Sequence, residues 1–243
     1  LIKNGEVLLW GVGIPPDRDP AINDPYITWV RLKRDGSFVS GPHFYKPPGV
    51  VTWAIPTDAT LDIDSTMVMV YDNKKGGIEK YVLKISEDDK IETMVRIPLV
   101  TTSTNDEAKL CVTRDGHYLV TNYDKKNIRL PVLTRIDRNK KVLWENAFDL
   151  PIGWWGGVYW PNVRDVYTNR IIETKNGDIL MCGVISVVDS FYVPALNKYV
   201  SAGNSASSFL ARFSGSGDVL WAHFMVDIHD SGILNKILLN DMI

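Results

Sequence analysis

Apolar and polar positions alternate with a period of two through most of this chain, and short clusters of Gly, Asn, Asp and Ser break the alternation. That is the pattern of half-buried strands joined by tight turns. Leu133-Thr-Arg-Ile-Asp-Arg-Asn-Lys-Lys-Val-Leu-Trp144 and Leu210-Ala-Arg-Phe-Ser-Gly-Ser-Gly-Asp-Val-Leu-Trp221 both read as strand, turn, strand. The same frame fits Trp29 to Ser40 and, more loosely, Val82 to Thr93. It carries a basic residue at one position each time: Arg31, Lys84, Arg135 and Arg212. A second family of hairpins turns at Asn4-Gly5, Asp115-Gly116 and Asn176-Gly177. Asn-Gly and Asp-Gly supply the positive φ angles of a two-residue type I′ turn, which is the expectation here.

The frame recurs about every 50 residues and stretches once, before the fourth copy. Such a period, each repeat giving several short strands, is the signature of a β-propeller array. The fold expected is all-β, with four-stranded antiparallel blades at about 1–45, 50–98, 107–148 and 166–226 and essentially no helix. In blade two the first strand is expected near Val50 to Ile55, followed by an irregular link from Asp58 to Asp64. Residues 233–243 read as the start of a further blade. The four blades are expected to be one array, a segment of a larger propeller of six to eight blades. A closed four-bladed ring would instead pair Ile233 to Leu238 beside Val7 to Leu9.

Strand alternation turns the pattern into an argument about function. Naming the strands of a blade A to D, the A–B and C–D turns lie at one end and the B–C and D–A connections at the other. Every tight turn falls in the first set. The long connections, Ile14 to Pro25, Pro98 to Asp106, Pro151 to Asp165 and Ser186 to Ala206, fall in the second. Loops on a rigid scaffold carry binding residues, so the elaborated end is where a ligand is expected.

Composition narrows the classes. A net charge of −2 with scattered basic residues gives no electrostatic case for nucleic acid. No apolar run reaches the roughly 18 residues of a membrane-spanning helix. Cys111 and Cys182 fall in strands of different repeats and read as reduced thiols rather than a disulfide framework. The four histidines have no metal-ligand spacing, so no metal or other cofactor is expected.

Two stretches carry candidate chemistry. Gly153-Trp154-Trp155-Gly156-Gly157-Val158-Tyr159-Trp160 places four large rings among glycines on the elaborated end. Either Trp154, Trp155, Tyr159 and Trp160 form a platform for sugar rings, or they fill the channel and the gap between blades. Pro15-Pro-Asp17-Arg18-Asp19-Pro-Ala-Ile-Asn-Asp24 brings three carboxylates and an arginine to the same end. Asp17, Asp19 and Asp24 are the acids to weigh for glycoside hydrolysis, and Arg18 for ligand binding. Trp144 and Trp221 share one frame position in outer strands and read as structural, with Ser40 and Thr93 as smaller substitutes. The repeated basic residues point along different radii and read as blade-edge solvation or pairing to a neighbouring carboxylate, not as an anion clamp.

The first blade, from Asn4-Gly-Glu-Val-Leu-Leu-Trp-Gly11 through Ser40-Gly-Pro42, resembles the opening blades of sialidase-like, BNR-repeat propellers. Met67-Val-Met-Val-Tyr-Asp-Asn73 followed by Ile78 to Ile85 is similar to a second. The family's Asp box, Ser-x-Asp-x-Gly-x-Thr-Trp, is degenerate: Ser214 to Trp221 keeps only the first serine and final tryptophan. The Leu-x-Arg-Ile-Asp frame equally resembles secreted bacterial propeller repeats. The resemblance implies an extracellular or cell-surface module binding a carbohydrate or protein ligand, or alternatively a sialidase-like glycoside hydrolase. No Tyr/Glu nucleophile pair is placed by the sequence.

Overall fold

A computed structural model describes residues 2–3, 5–18, 26–47, 54–64, 66–73, 78–101, 108–123, 131–147, 153–155, 158–160, 163–187, 190–193, 198–201, 206–225, 227–228 and 234–235. Among the described residues every regular element is a strand. Four antiparallel four-stranded sheets form, each with the A-to-D order of a propeller blade. Blade one is β1 (Ile2–Lys3), β2 (Glu6–Gly13), β3 (Tyr26–Lys33) and β4 (Phe38–Tyr45); blade two is β5 (Ala54–Leu61), β6 (Met67–Asn73), β7 (Ile78–Ile85) and β8 (Ile91–Thr101). Blade three is β9 (Leu110–Val112), β10 (Tyr118–Tyr123), β11 (Pro131–Ile136) and β12 (Val142–Ala147). A hairpin of β13 (Gly153–Trp155) and β14 (Val158–Trp160) precedes blade four.

Blade four is β15 (Val163–Glu173), β16 (Ile179–Val187), β19 (Ala206–Phe213) and β20 (Val219–Met225), its B–C connection carrying a hairpin of β17 (Ser190–Val193) and β18 (Lys198–Ser201). In the tail, β21 (Asp227–Ile228) pairs with β22 (Leu234–Asn235). Thus the two long connections around blade four each hold a two-stranded ribbon. The chain divides into two compact units, Leu1–Gly116 and His117–Ile243.

The repeat frame survives as strand register. Arg31 pairs with Ser40, Lys84 with Thr93, Arg135 with Trp144 and Arg212 with Trp221, and a bulge follows each of the four pairs. The bulge comes from the turn. In all four C–D hairpins the fourth turn residue donates to the first carbonyl, and the first N–H bonds the carbonyl four residues on. That is a three-residue loop with one residue at positive φ, occupied by Gly36, Asp89, Lys140 and Gly217.

The two-residue type I′ geometry expected at Asp115-Gly116 and Asn176-Gly177 is corrected, because Gly116 and Gly177 donate to the Thr113 and Thr174 carbonyls as in the C–D turns. A single left-handed residue suffices, so a side chain is tolerated there at a modest cost. Between β1 and β2, where Lys3 pairs with Glu6, the loop is two residues long. The first strand of blade two is also corrected, because strand pairing runs from Ala54 to Leu61 and the turn spans Asp62 to Thr66.

In the first unit, alternation gives blade two an apolar face toward blade one. Met67, Met69, Tyr71, Leu83 and Ile85 are fully buried and pack with Ile27 and Trp29 of β3, and Leu8, Trp10, Tyr45 and Ile91 close the cluster. On the other side of blade two, the Leu110 N–H donates to Asp58 Oδ2 at 2.8 Å, tying β9 to β5.

Candidate functional site at the loop end

In the first unit the B–C and D–A end gathers aromatic rings and cations. Tyr26 opens β3, and its ring lies 5.8 Å from both the Arg18 guanidinium carbon and Lys46 Nζ. Arg18 is carried on a turn closed by its own N–H to the Pro15 carbonyl at 3.1 Å. A ring's negative face attracts cations, so Tyr26 holds an exposed arginine in place. Among the described residues nothing accepts a hydrogen bond from that guanidinium. Asp17 beside it is exposed, while Asp19 and Asp24 lie outside the described residues.

In blade two, Tyr71 and Tyr81 stack with centroids 5.3 Å apart and planes at 12°. The Tyr81 hydroxyl donates to Glu79 Oε2 at 2.7 Å, and Arg96 Nη2 holds Glu79 Oε1 at 2.8 Å. Burial pushes the Tyr71 hydroxyl well above the usual phenol range, and the neighbouring Tyr45, Tyr81 and Glu79 add to the shift. Burial likewise raises Tyr45. Neither phenol ionises near neutrality, so both stay hydrogen-bond donors.

The Tyr81–Glu79 pair is a feature the sequence reading missed. Its signal was the spacing of two within β7, which puts both side chains on one face of the sheet.

The aromatic stretch forms the β13–β14 hairpin, with Trp154 opposite Tyr159 and Gly153 opposite Trp160. The side chains of Trp154, Trp155, Tyr159 and Trp160 lie outside the described ones.

The tight-turn end of the same unit is committed to structure. Asp89, in the C–D turn of blade two, accepts from Trp29 Nε1 at 3.0 Å, Arg31 Nε at 3.0 Å and Ser40 Oγ at 2.7 Å, all from blade one. Arg31 also donates to the Ser86 carbonyl at 2.9 Å. His43 stacks on Trp29, and its Nε2 lies 3.2 Å from Asp89 Oδ2 without the alignment of a hydrogen bond.

Burial raises the Asp89 carboxyl, but hydrogen bonds from Ser40 and Trp29 and the charges of Arg31 and His43 outweigh it. The net result is a lowered pKa. Although Ser, His and Asp meet here, Asp89 lies between the other two, and no base faces the Ser40 hydroxyl. The cluster is a clasp, not a nucleophilic triad.

Lys84 serves its own blade, with Nζ 2.7 Å from Asp64 and 3.2 Å from Asp62. Burial lowers its pKa, but hydrogen bonds to Asp64 and Asp62 win and hold it above the usual lysine range. In the second unit, Arg135 donates through Nη1 to the Gly215 carbonyl of blade four at 2.8 Å. Thus Arg31 pairs with a carboxylate of the neighbouring blade, one of the two roles expected for it, and Arg135 joins its neighbour through a carbonyl. Among the described residues no group of His, Cys, Asp or Glu is arranged to hold a metal, and neither Cys111 nor Cys182 is in a disulfide.

No family model matches the chain, and no curated protein matches it. Among solved structures it is similar to a protein of unknown function from Bacteroides caccae, at 9% identity over 84% of this chain and 78% of that one, with a TM-score of 0.31. It is also similar to the periplasmic gluconolactonase PpgL of Pseudomonas aeruginosa, at 10% identity over 93% of this chain and 74% of that one, with a TM-score of 0.44. Likenesses this distant carry no chemistry to this chain.

Proposed function

We propose that this chain is a ligand-binding module, extracellular or at the cell surface, whose loop end takes a carbohydrate or protein ligand. The carrying observation is the division of its charges. At the tight-turn end Arg31 is spent on Asp89 and Lys84 on Asp62 and Asp64, whereas at the loop end Arg18 is posed on Tyr26 and no described residue accepts from it. A guanidinium held by a ring and open to solvent suits the oxygen-rich surface of a glycan, and the aromatic residues Trp154, Trp155, Tyr159 and Trp160 would extend the contact. The test is a glycan-array screen followed by calorimetric titration of wild type and Arg18→Ala. Binding that weakens at least about tenfold in the variant supports the reading. Absence of any glycan binding removes the carbohydrate form of it.

A second reading, a sialidase-like glycoside hydrolase, is favoured by the Tyr81–Glu79 hydrogen bond. It requires a second acid roughly 5 to 9.5 Å across the substrate, with Asp17, Asp19 and Asp24 the first to examine. Release of an aryl leaving group from a panel of aryl glycosides, lost in Tyr81→Phe, would support it. Equal background rates in wild type and variant would end it.

A further inference from the structure

His43 Nε2 is buried and has no hydrogen-bond partner among the described residues, yet it lies 3.2 Å from Asp89 Oδ2. Buried polar atoms are nearly always paired, so a bare ring nitrogen beside a carboxylate marks an unfinished contact. The ring is held there from two sides. It stacks on Trp29 with centroids 5.4 Å apart and planes at 23°. Gly41 presses on its edge so closely that a Cβ there would come within 3.1 Å of His43 Cδ2.

The carboxylate has an acceptor position to spare on the same oxygen. Asp89 Oδ1 takes Trp29 Nε1 and Arg31 Nε, both at 3.0 Å, whereas Oδ2 takes only Ser40 Oγ among the described residues. Each carboxylate oxygen has room for two hydrogen bonds, so Oδ2 is half used. The Arg31 cation sits on the other oxygen. Of the further charges on that turn, Asp88 and Lys90 are paired with each other and Glu87 is exposed.

The joint between blades three and four is built differently at the same two positions. Asn146 pairs with Leu133 as His43 pairs with Trp29, and Gly217 holds the turn position of Asp89. A Cβ on Gly217 would meet Asn146 Nδ2 at 2.6 Å, so these positions face each other there too, without a carboxylate. An amide that never titrates meets a glycine, and a histidine meets an aspartate.

We propose that His43 is a proton-operated fourth donor of the Asp89 clasp, which ties blade two to blade one more firmly in mild acid than at alkaline pH. Neutral, the ring leaves Nε2 unpaired. Protonated, it carries an N–H and a positive charge at that end, and a small turn of the ring directs them onto Oδ2. The Asp89 side chain is only 9% exposed, so the attraction is weakly screened. Histidine gains its proton between about pH 8 and 5. Asp89 stays ionised through that window, because its own titration is displaced downward. The extra bond is therefore complete on the acid side of the histidine range and is lost as pH rises through it.

The test is the melting temperature of the whole chain between about pH 5 and 8 for wild type, His43→Phe, Asp89→Asn and the double variant. Phenylalanine keeps the stack on Trp29 and carries no proton. Titrations elsewhere act on all four proteins, so the difference between wild type and His43→Phe isolates the ring. That difference is expected to grow in favour of wild type by about 2–4 °C from the alkaline to the acid end of the range. In the Asp89→Asn background the same substitution should give a difference that does not change with pH. Parallel profiles for wild type and His43→Phe would overturn the proposal, since a ring that only packs has no pH dependence to lose. A pH-dependent difference that persists without the Asp89 charge would equally overturn it.

Discussion

Arg31 Nε lies 3.0 Å from Asp89 Oδ1, a bond 58 residues long in sequence that fastens the C strand of one blade to the C–D turn of the next. The Asp89 side chain is 9% exposed, so its charge is largely out of water and depends on these donors. Removing it leaves Arg31, Trp29 and Ser40 with donors aimed at nothing. Asp89→Ala is expected to cost about 2–4 kcal/mol in urea denaturation, and Asp89→Asn, which keeps an acceptor and suits the turn, about 1–2. Equal stability for all three proteins would refute the clasp.

The same carboxyl sets an acid response. Its folded-state pKa is depressed, so its contribution is complete above the unfolded-state value near about 4 and is lost as pH falls through the lowered folded value. Thermal melts between about pH 2 and 6 should show wild type losing stability below about pH 4. The Asp89→Asn profile should be flatter over that range; parallel profiles would contradict the assignment.

Lys84 neutralises Asp62, whose side chain is 1% exposed, together with Asp64. Lys84→Met takes the cation away from the buried Asp62 carboxylate, with an expected loss of about 2–4 kcal/mol. Adding Asp62→Asn should restore much of it in a double-mutant cycle. Additive losses would mean that the two do not interact.

Gly183, mid-strand in β16, has no room for a side chain. A Cβ would lie 2.0 Å from the Tyr167 carbonyl oxygen and 2.5 Å from the Phe209 ring. Gly183→Ala should lower the melting temperature steeply, at about 3 kcal/mol or more, because the backbone of β15 would have to move. An unchanged melting temperature would show that the strands separate freely there.

Much of this architecture was legible in the sequence because the repeat recurs in one register. The frame that aligns Arg31, Lys84, Arg135 and Arg212 is the frame in which they pair with Ser40, Thr93, Trp144 and Trp221. Turn geometry was less legible. Asp-Gly fits both a two-residue turn and the three-residue loop seen here, and only Asp89 and Lys140 at positive φ betray the second. The partners of the basic residues were illegible, since the acceptor of Arg31 belongs to another repeat and depends on how blades pack. At the loop end, Arg18 was singled out by its loop, but its seat on Tyr26 follows from strand ends that no local pattern reports.

The two ends of the blades divide binding from structure, and one comparison of variants decides between them. Affinity for a panel of neutral and acidic oligosaccharides should be measured for wild type, Arg18→Ala and Asp89→Asn at a temperature where all three are folded. Arg18→Ala is expected to keep wild-type stability and lose at least about tenfold in affinity, with Asp89→Asn destabilised but binding as wild type does. Binding undisturbed by Arg18→Ala and lost in folded Asp89→Asn would place the ligand at the tight-turn end and contradict it.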